Sequence, residues 1–469
     1  MKKHNSLKVV LITMVVLLLL TWILPAAVFQ NGAFYDQGRV QMGLFDLFQY
    51  PTATLAYFGY VAIFVLVVGG FYGVLNKTTA YRDLLDKIAT KFKGKEKYFI
   101  IAISILIAVI TSFTGLSLGM FFLFPFVISV ILLMGYDKIV AASTTVGSVM
   151  IGLIGLTFAN GSTSSLALNS TLGIEPSSEI ITKVILLALG LVLLLFNTIR
   201  HANKHKNEDV AAANEDYIPA KKEDGKKQKI WPLVVIIDLL LIVMILSFIS
   251  WDSAFGVSIF ESAKNGLESF KLFGFPLFAK LLGTVSVFGE WSYSDLITLI
   301  MIATCLVALI YRVKFNDVVD GFFKGVRKMA YPALVMILIY ACLLLTTYHP
   351  FQLTIAKAVL GITKGFNVVT TAVVGFLSGI FNVDMLYQAQ STIPYLTSVV
   401  TDTARYPLIQ IIYQTMYGFS MLVAPTSVIL MGTLAYLKVP YQKWLKYIWK
   451  LLIELLVILF VVYTIVLLI

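Results

Sequence analysis

Small polar residues interrupt two long apolar stretches of this sequence. Ile139 to Leu172 is broken at Ala159-Asn160-Gly161-Ser162-Thr163-Ser164-Ser165, and Leu408 to Leu437 at Ala424-Pro425-Thr426-Ser427. A helix that breaks inside a membrane exposes N–H groups and carbonyls whose dipoles can hold an anion or a cation. The alternative is that the small residues only help helices to pack and that Pro425 introduces a kink. We predict that both breaks meet near the bilayer centre and bind a substrate through Asn160, Gly161, Ser162, Thr163, Pro425, Thr426 and Ser427.

Two more polar clusters lie in turns between paired apolar segments. The pairs are Lys97 to Phe113 with Met120 to Met134, and Phe366 to Gly379 with Leu386 to Val400. A carboxylate in apolar surroundings is costly and normally has a partner or a task. The alternative for Asp384 is a turn residue at a water-exposed boundary. We predict that a coupling ion or a charged part of the substrate is bound by Asn382, Asp384, Thr114 and Ser117.

The elements that position these residues are membrane helices. The chain is 59% hydrophobic and 13% charged over 469 residues, which excludes a soluble globular domain. Apolar stretches near the roughly 20 residues that cross a bilayer recur from Lys8 to Phe29 through to Leu445 to Leu468. The sequence therefore predicts an all-α polytopic membrane protein whose environment is the lipid bilayer.

If each span reverses the direction of the chain, most of the 36 Lys and Arg residues fall in segments on one side of the membrane, such as Lys77 to Lys97 and Arg200 to Lys229. Under the positive-inside rule these segments face the cytosol. The prediction is a multi-pass protein of the cell inner (plasma) membrane with its N-terminus in the cytosol and its C-terminus outside. The formal charge of +11 then reflects topology, and no nucleic-acid partner is needed to explain it.

The order of elements repeats in the two halves. Residues 1–199 form a first repeat with a hairpin at 97–134 and a broken helix at 139–172. Residues 200–229 are a polar, flexible cytosolic linker, and 230–292 hold an extra span and an external segment. Residues 293–469 form a second repeat with a hairpin at 366–403 and a broken helix at 407–437. The extra span inverts the second repeat, an architecture typical of secondary transporters. The small and polar turns favour re-entrant over fully spanning hairpins.

Three stretches resemble a known family. They are similar to segments of the YfcC-like transporters. The stretches are Gly69-Gly70-Phe71-Tyr72-Gly73-Val74-Leu75-Asn76-Lys77-Thr78, Gly135-Tyr136-Asp137, and Ala424 to Met431 with Val439 to Lys446. The YfcC-like transporters are relatives of the anaerobic C4-dicarboxylate carriers (the DcuC group) in the ion-transporter superfamily. The resemblance implies a scaffold, a moving domain of hairpins and broken helices, an elevator-type cycle, Na⁺ or H⁺ coupling, and a homodimer.

The sequence departs from that family pattern at two places. Gly119-Met120 is followed by Phe121, Phe122 and Leu123 where the family carries acidic residues, and Asn160-Gly161 replaces an Asn-Pro. The resemblance therefore does not extend to a cation site in the first hairpin or to a basic amino acid as substrate.

The predicted function is secondary active transport of a small organic solute, either a carboxylate, an amino acid or a peptide-like molecule, by symport or exchange. No phosphate-binding Gly-x4-Gly-Lys-Ser/Thr string occurs, which argues against an ATP-driven pump. No cofactor is expected besides Na⁺ or H⁺ as coupling ion. The alternatives are a membrane-embedded enzyme such as an acyltransferase, which would need a nucleophile and base that are not visible, and a passive channel.

Overall fold

The computed structural model describes residues 4–159, 164–206, 212–221, 227–363 and 365–468. It confirms an all-α polytopic membrane protein. Within these residues, eight helices are long and apolar enough to cross a membrane. Shorter apolar helices lie between them and form the paired and broken segments.

Among its described residues, the first half contains nine helices and two strands. They are α1 (Asn5–Ile23), β1 (Ala26–Gln30), β2 (Ala33–Gly38), α2 (Asp46–Leu75), α3 (Thr79–Lys91), α4 (Glu96–Thr114), α5 (Phe124–Leu133), α6 (Lys138–Ala142), α7 (Ser148–Ile154), α8 (Ser165–Leu172) and α9 (Ile180–His205). A 3₁₀ turn, Leu118–Leu123, leads into α5, and a π-helical turn, Ser143–Gly147, joins α6 to α7.

The second half follows a short 3₁₀ turn at Ala212–Tyr217. Its helices are α10 (Trp231–Phe248), α11 (Trp251–Phe255), α12 (Ile259–Ser269), α13 (Leu277–Leu282), α14 (Tyr293–Ile310), α15 (Phe315–Tyr348), α16 (Gln352–Leu360), α17 (Val368–Phe381), α18 (Met385–Val399), α19 (Tyr406–Met421), α20 (Val428–Leu437) and α21 (Tyr441–Leu468). The division of the chain into inverted repeats stays a prediction.

The first predicted span, Lys8 to Phe29, is wrong at its C-terminal end. Helix α1 ends at Ile23, and Pro25 separates it from an antiparallel hairpin of β1 and β2. Asn31 and Gly32 form the turn with positive φ angles of 51° and 74°, the conformation that an Asn-Gly pair favours in a tight hairpin. The Ala27 N–H donates to the Pro350 carbonyl at 2.9 Å, so the hairpin packs against the second half.

Helix α3, which follows α2, is amphipathic. The Thr78 side chain caps its N-terminus by accepting a hydrogen bond from the Tyr81 N–H. Its buried face carries Tyr81, Leu84 and Leu85, at the spacing of successive helical turns. This face packs on α5, which ties the surface helix to the first hairpin.

Glycines allow α2 and α15 to approach each other closely. A Cβ at Gly325 would lie 1.9 Å from the Gly69 carbonyl oxygen, and one at Gly73 would lie 2.0 Å from the Gly321 carbonyl oxygen. Backbone therefore packs directly on backbone, as in other membrane helix pairs with small residues at the interface. Helix α14 also packs on α2, so α2 has α14 and α15 as its two main partners.

The segment 200–229 is not a purely flexible linker. Helix α9 continues to His205, whose neighbour His201 pairs with Asp137 at 3.3 Å. Farther on, the Tyr217 carbonyl accepts from the Ser129 hydroxyl at 2.6 Å, and the Tyr217 hydroxyl donates to the Tyr436 carbonyl at 3.0 Å. The described part of the linker is docked because it offers polar groups to both halves.

Charged groups complete this docked segment. The Asp216 carboxylate pairs with the Lys438 ammonium at 2.8 Å, and the Asp216 carbonyl accepts from Lys328 on α15. The hydrogen bond from Lys438 holds the pKa of Asp216 below its usual range. On the side of the first half, Arg82 donates to the Pro219 carbonyl at 2.6 Å. The linker thus joins α3 and α5 to α15 and α20.

Candidate functional site

The first break is fastened to the first hairpin. Helix α7 ends at Ile154, and both the N–H and the hydroxyl of Thr157 donate to the Ser112 carbonyl, at 2.9 and 3.1 Å. The Ser112 hydroxyl in turn donates to the Gly155 carbonyl at 2.5 Å. These bonds satisfy polar groups that the end of α7 leaves open, which would be costly in hydrocarbon.

The second break is fastened to the second hairpin in a similar way. Helix α19 ends at Met421, and the hydroxyl of Thr426 donates to the Ile380 carbonyl at 2.7 Å near the end of α17. One turn before the break, the Tyr417 hydroxyl donates to the Val383 carbonyl at 2.7 Å. Each break and its hairpin therefore form one structural unit.

The two units meet where α7 crosses α19. A Cβ at Gly418 would lie 2.6 Å from the Ile154 backbone nitrogen, so the two backbones touch there. The Gln414 amide donates to the Ile154 and Leu156 carbonyls, at 3.2 and 2.9 Å. The first broken helix is thus hydrogen-bonded to the second close to both interruptions.

Asp384 lies between α17 and α18, at the tip of the second hairpin. Its carboxylate accepts from the Tyr387 N–H at 3.0 Å and caps α18, while its own N–H donates to the Asn382 side-chain oxygen at 2.9 Å. Asn382 is buried, and its amide lies 3.5 Å from the Thr346 hydroxyl on α15. The carboxylate therefore has a structural task as the cap of α18.

A cluster of tyrosines lies between the tips of the two hairpins. The Asp384 carboxylate acts electrostatically on the phenols of Tyr60, Tyr340 and Tyr417. Tyr60 stacks on Tyr293 with ring centroids 5.8 Å apart. The Tyr293 hydroxyl lies near the backbone N–H groups of Leu118 and Gly119, at the tip of the first hairpin. Phenols of α2, α14 and α15 therefore lie near both tips.

The remaining predicted site residues fall into three groups. In the first group, the Thr114 hydroxyl donates to the Ile110 carbonyl at 2.7 Å and accepts from the Leu116 N–H at 3.1 Å, so its hydrogen bonds are local. The neighbouring Ser117 is half-buried, and its carbonyl accepts from the Met120 N–H. Ser427 is buried and follows the half-buried Pro425, and its hydroxyl has no hydrogen-bond partner within the described part of the chain. The residues of the first break itself, Asn160, Gly161, Ser162 and Thr163, lie outside the described residues.

Gln414 and the tyrosine cluster are residues that the sequence analysis missed. Gln410 and Gln414 are buried polar residues one helical turn apart in an apolar stretch, and the Gln410 amide donates to the Gln414 oxygen at 2.7 Å. This spacing of amides inside a span is the sequence signal that could have indicated Gln414. The described residues contain no group of three or more His, Cys, Asp or Glu side chains that could hold a metal ion.

Comparison with known proteins adds a family to this geometry. Residues 4–468 match the family described as C4-dicarboxylate anaerobic carrier (DcuC). The chain belongs to the C4-dicarboxylate anaerobic carrier family. This membership shows that the protein is a membrane carrier and not an enzyme, which confirms the family resemblance seen in the glycine-rich and Ala-Pro-Thr-Ser segments.

Two individual proteins are also similar to this carrier. A protein of Haemophilus influenzae (strain ATCC 51907 / DSM 11121 / KW20 / Rd), described as uncharacterized, is 21% identical over 83% of this chain and 71% of its own length. The crystal structure of the YdaH transporter of Alcanivorax borkumensis is similar at 16% identity and a TM-score of 0.40, over 97% of each chain.

Replacing Thr426 by valine tests the link between the second break and its hairpin. The change removes the hydrogen bond to the Ile380 carbonyl at nearly constant volume. Because one such bond contributes roughly 0.5–1.5 kcal/mol, we expect the apparent substrate constant to rise about 3- to 10-fold while the protein still folds. Uptake kinetics in proteoliposomes measure this effect.

Thr433→Val is the matched control. Thr433 is equally buried on the neighbouring helix α20, but its hydroxyl has no partner among the described residues. It should transport like the wild type. Equal kinetics in both variants would show that the Thr426 hydroxyl has no part in the site.

Proposed function

We propose that this carrier is a secondary active transporter of small organic carboxylates and that the two hairpin–break units enclose the substrate. The observation that carries the proposal is the crossing of α7 and α19 at Gly418, where Gln414 bridges the second broken helix to the end of the first. A channel has no need of two interrupted helices joined in this way.

The substrate class follows from the family and from the charge of the site. The family is described as carriers of C4-dicarboxylates. The first hairpin continues from Met120 into phenylalanines and carries no carboxylate there, so its tip favours an anionic or neutral solute over a cationic one. Among carboxylates, amino acids and peptide-like solutes, we therefore propose a dicarboxylate.

Coupling is proposed to occur at the tip of the second hairpin, where Asp384 would bind Na⁺ or accept H⁺. We also propose an elevator-type cycle in a homodimer. The elevator-type cycle is supported by the arrangement of helices: α2 packs on both α14 and α15, whereas α4, α7, α17 and α19 pack as a second group around the crossing. The second group would move against the first.

Uptake by proteoliposomes tests the proposal. The purified protein is reconstituted and given labelled succinate under an inward Na⁺ gradient, an inward H⁺ gradient, or no gradient with unlabelled succinate inside. Uphill accumulation with either ion supports symport, and accumulation only with internal succinate supports exchange. Equilibration to equal concentrations under every condition would indicate a channel. No uptake of succinate, with uptake of an amino acid or peptide instead, would overturn the substrate class.

The proposed topology places α9 with its C-terminus in the cytosol and α11 outside the inner membrane. Single cysteines at Asn203 and Ser253, both exposed, are introduced with Cys305 and Cys342 replaced by serine and alanine. In intact cells, a membrane-impermeant maleimide should label the cysteine at 253 and leave that at 203 unlabelled until the cells are opened. The opposite pattern would reverse the orientation.

A further inference from the structure

A cavity with basic walls opens where the C-terminal end of α9 meets the N-terminal end of α21. Its volume is about 360 Å³, and its described lining contains two histidines and no carboxylate. Five lining residues are lysine or arginine, all with exposed side chains: Arg200, Lys204, Lys443, Lys446 and Lys450. Both helices contribute to this set, so together they create a concentrated positive potential at one end of the two spans.

Neighbouring carboxylates do not neutralise this charge. Within the described part of the chain, none of the five basic side chains forms an ion pair. Two carboxylates contact lining residues, but each is engaged there. Asp137 pairs with His201 at 3.3 Å and caps α6, and Glu454 accepts from the Asn197 amide at 2.6 Å. The cavity therefore offers its lysines and its arginine to an anion from outside the protein.

A second cavity, at the opposite end of α21, shows that size alone does not produce such a site. It is larger, about 750 Å³, and lies between the C-terminal part of α21 and the two ends of the second hairpin. The one cation of its described lining, Arg405, lies 3.4 Å from the Asp402 carboxylate and donates to the Leu467 carbonyl at 3.2 Å. Its charge is balanced internally, whereas the charge between α9 and α21 is not.

The surface next to the basic cavity is apolar and faces outward along both spans. On α9, Phe196 lies one turn from Arg200 towards the middle of the helix and is 57% exposed. On α21, Ile453 lies one turn beyond Trp449, which lines the cavity, and is 54% exposed. Residues four apart share a helix face, so the basic cavity continues into an apolar strip at the lipid-facing surface.

We infer that this cavity binds the phosphate head group of an anionic phospholipid, whose acyl chains lie along the apolar strip. Basic clusters beside membrane helices on the cytosolic side attract anionic lipids, and both segments are predicted to face the cytosol. A soluble phosphate would use the positive charge but leave the strip uncovered, whereas a phospholipid matches both features. The lipid would bridge the last helix of each half, and this role is independent of the transported solute.

The test measures the melting temperature of delipidated, full-length protein in neutral detergent with increasing amounts of phosphatidylglycerol. A ligand that binds only the folded protein raises this temperature. The comparison probes are phosphatidylcholine, which has acyl chains but no net charge, and glycerol 3-phosphate, which has the charge but no acyl chains. We expect a rise with phosphatidylglycerol alone. An equal rise with glycerol 3-phosphate would indicate a site for soluble phosphates, and no rise with phosphatidylglycerol would exclude the lipid site.

The triple variant Lys204→Gln, Lys446→Gln and Lys450→Gln removes three charges from the cavity. Lys443 is kept because it also acts electrostatically on Asp137. Each basic residue near an anionic lipid surface strengthens binding by roughly 5-fold, so we expect the half-saturating amount of phosphatidylglycerol to rise by roughly 10- to 100-fold. Replacing the same three lysines by arginine keeps the charge and should preserve the lipid-induced rise.

The matched control removes the same charge from the predicted cytosolic side at the connection of α3 and α4. Lys91→Gln, Lys93→Gln and Lys95→Gln change three exposed lysines outside the cavity and should leave the lipid response as in the wild type. Equal weakening in both triple variants would show that only net charge matters, and an unchanged response of the cavity variant would show that the lipid binds elsewhere. If the cavity variant does not fold, Lys446→Gln alone is titrated, with an expected change of roughly 5-fold.

Discussion

The substitution Gly325→Val is expected to prevent α2 and α15 from packing together. The Cβ alone would come within 1.9 Å of the Gly69 carbonyl oxygen, and the obstacle is backbone rather than a flexible side chain. Helices α2 and α15 would have to separate along their contact, where Gly73 and Gly321 also touch. The loss in the free energy of unfolding should exceed roughly 1–3 kcal/mol, which is typical of an overpacked core. The yield of monodisperse protein in detergent and its melting temperature measure this.

Gly59→Val serves as the control, with the same substitution in the same pair of helices. Gly59 lies on α2, but nothing is within 4 Å of an added Cβ there. Its yield and melting temperature should equal those of the wild type. If Gly325→Val were as stable as Gly59→Val, the close packing of α2 on α15 would be refuted.

The second large effect is expected for Asp384→Asn. Asparagine is as good a helix N-cap as aspartate, so the hydrogen bond from the Tyr387 N–H can be kept while the charge is lost. If the carboxylate binds the coupling ion, ion-driven accumulation of succinate should fall to the level of empty liposomes. The melting temperature should stay near that of the wild type. Uptake under Na⁺ and H⁺ gradients, with thermal unfolding in parallel, gives both results.

Asp402 provides a matched cap outside the hairpin tip. Its carboxylate accepts from the Ala404 N–H at 3.1 Å, and the side chain is exposed. Asp402→Asn should leave uptake unchanged. Normal ion-driven uptake by Asp384→Asn would reduce Asp384 to the same role, that of a turn residue.

The sequence predicted the paired and broken helices because length and apolar composition act locally. The second hairpin, for example, was expected at 366–403, and its helices span Val368–Phe381 and Met385–Val399. The same local signals predicted the interruption before Val428. They did not reveal the β-hairpin after α1, because Pro25 and most of strand β1 were included in an apolar run that ended at Phe29, before the Asn31-Gly32 turn.

The contacts that unite the candidate site could not be predicted from local patterns. Gln414 bonds to carbonyls about 260 positions away, and Ser112 reaches a residue 45 positions away. Which partners meet depends on how the helices cross, and this follows from close packing at particular glycines such as Gly418. The docking of the linker was not predicted for the same reason. Its polar composition is typical of a flexible segment, whereas its partners Lys328 and Lys438 lie far along the chain.

The docked linker has a consequence for the way the protein is made. Pro219 and Tyr217 bond to Arg82 and Ser129, which are synthesised before them. These contacts are available before the ribosome has added Lys328 and Lys438, because synthesis proceeds from the N-terminus. Asp216 is then an acceptor for lysines of helices that are synthesised later. We therefore expect the first half, with the described part of its linker docked, to act as a template on which the second half assembles.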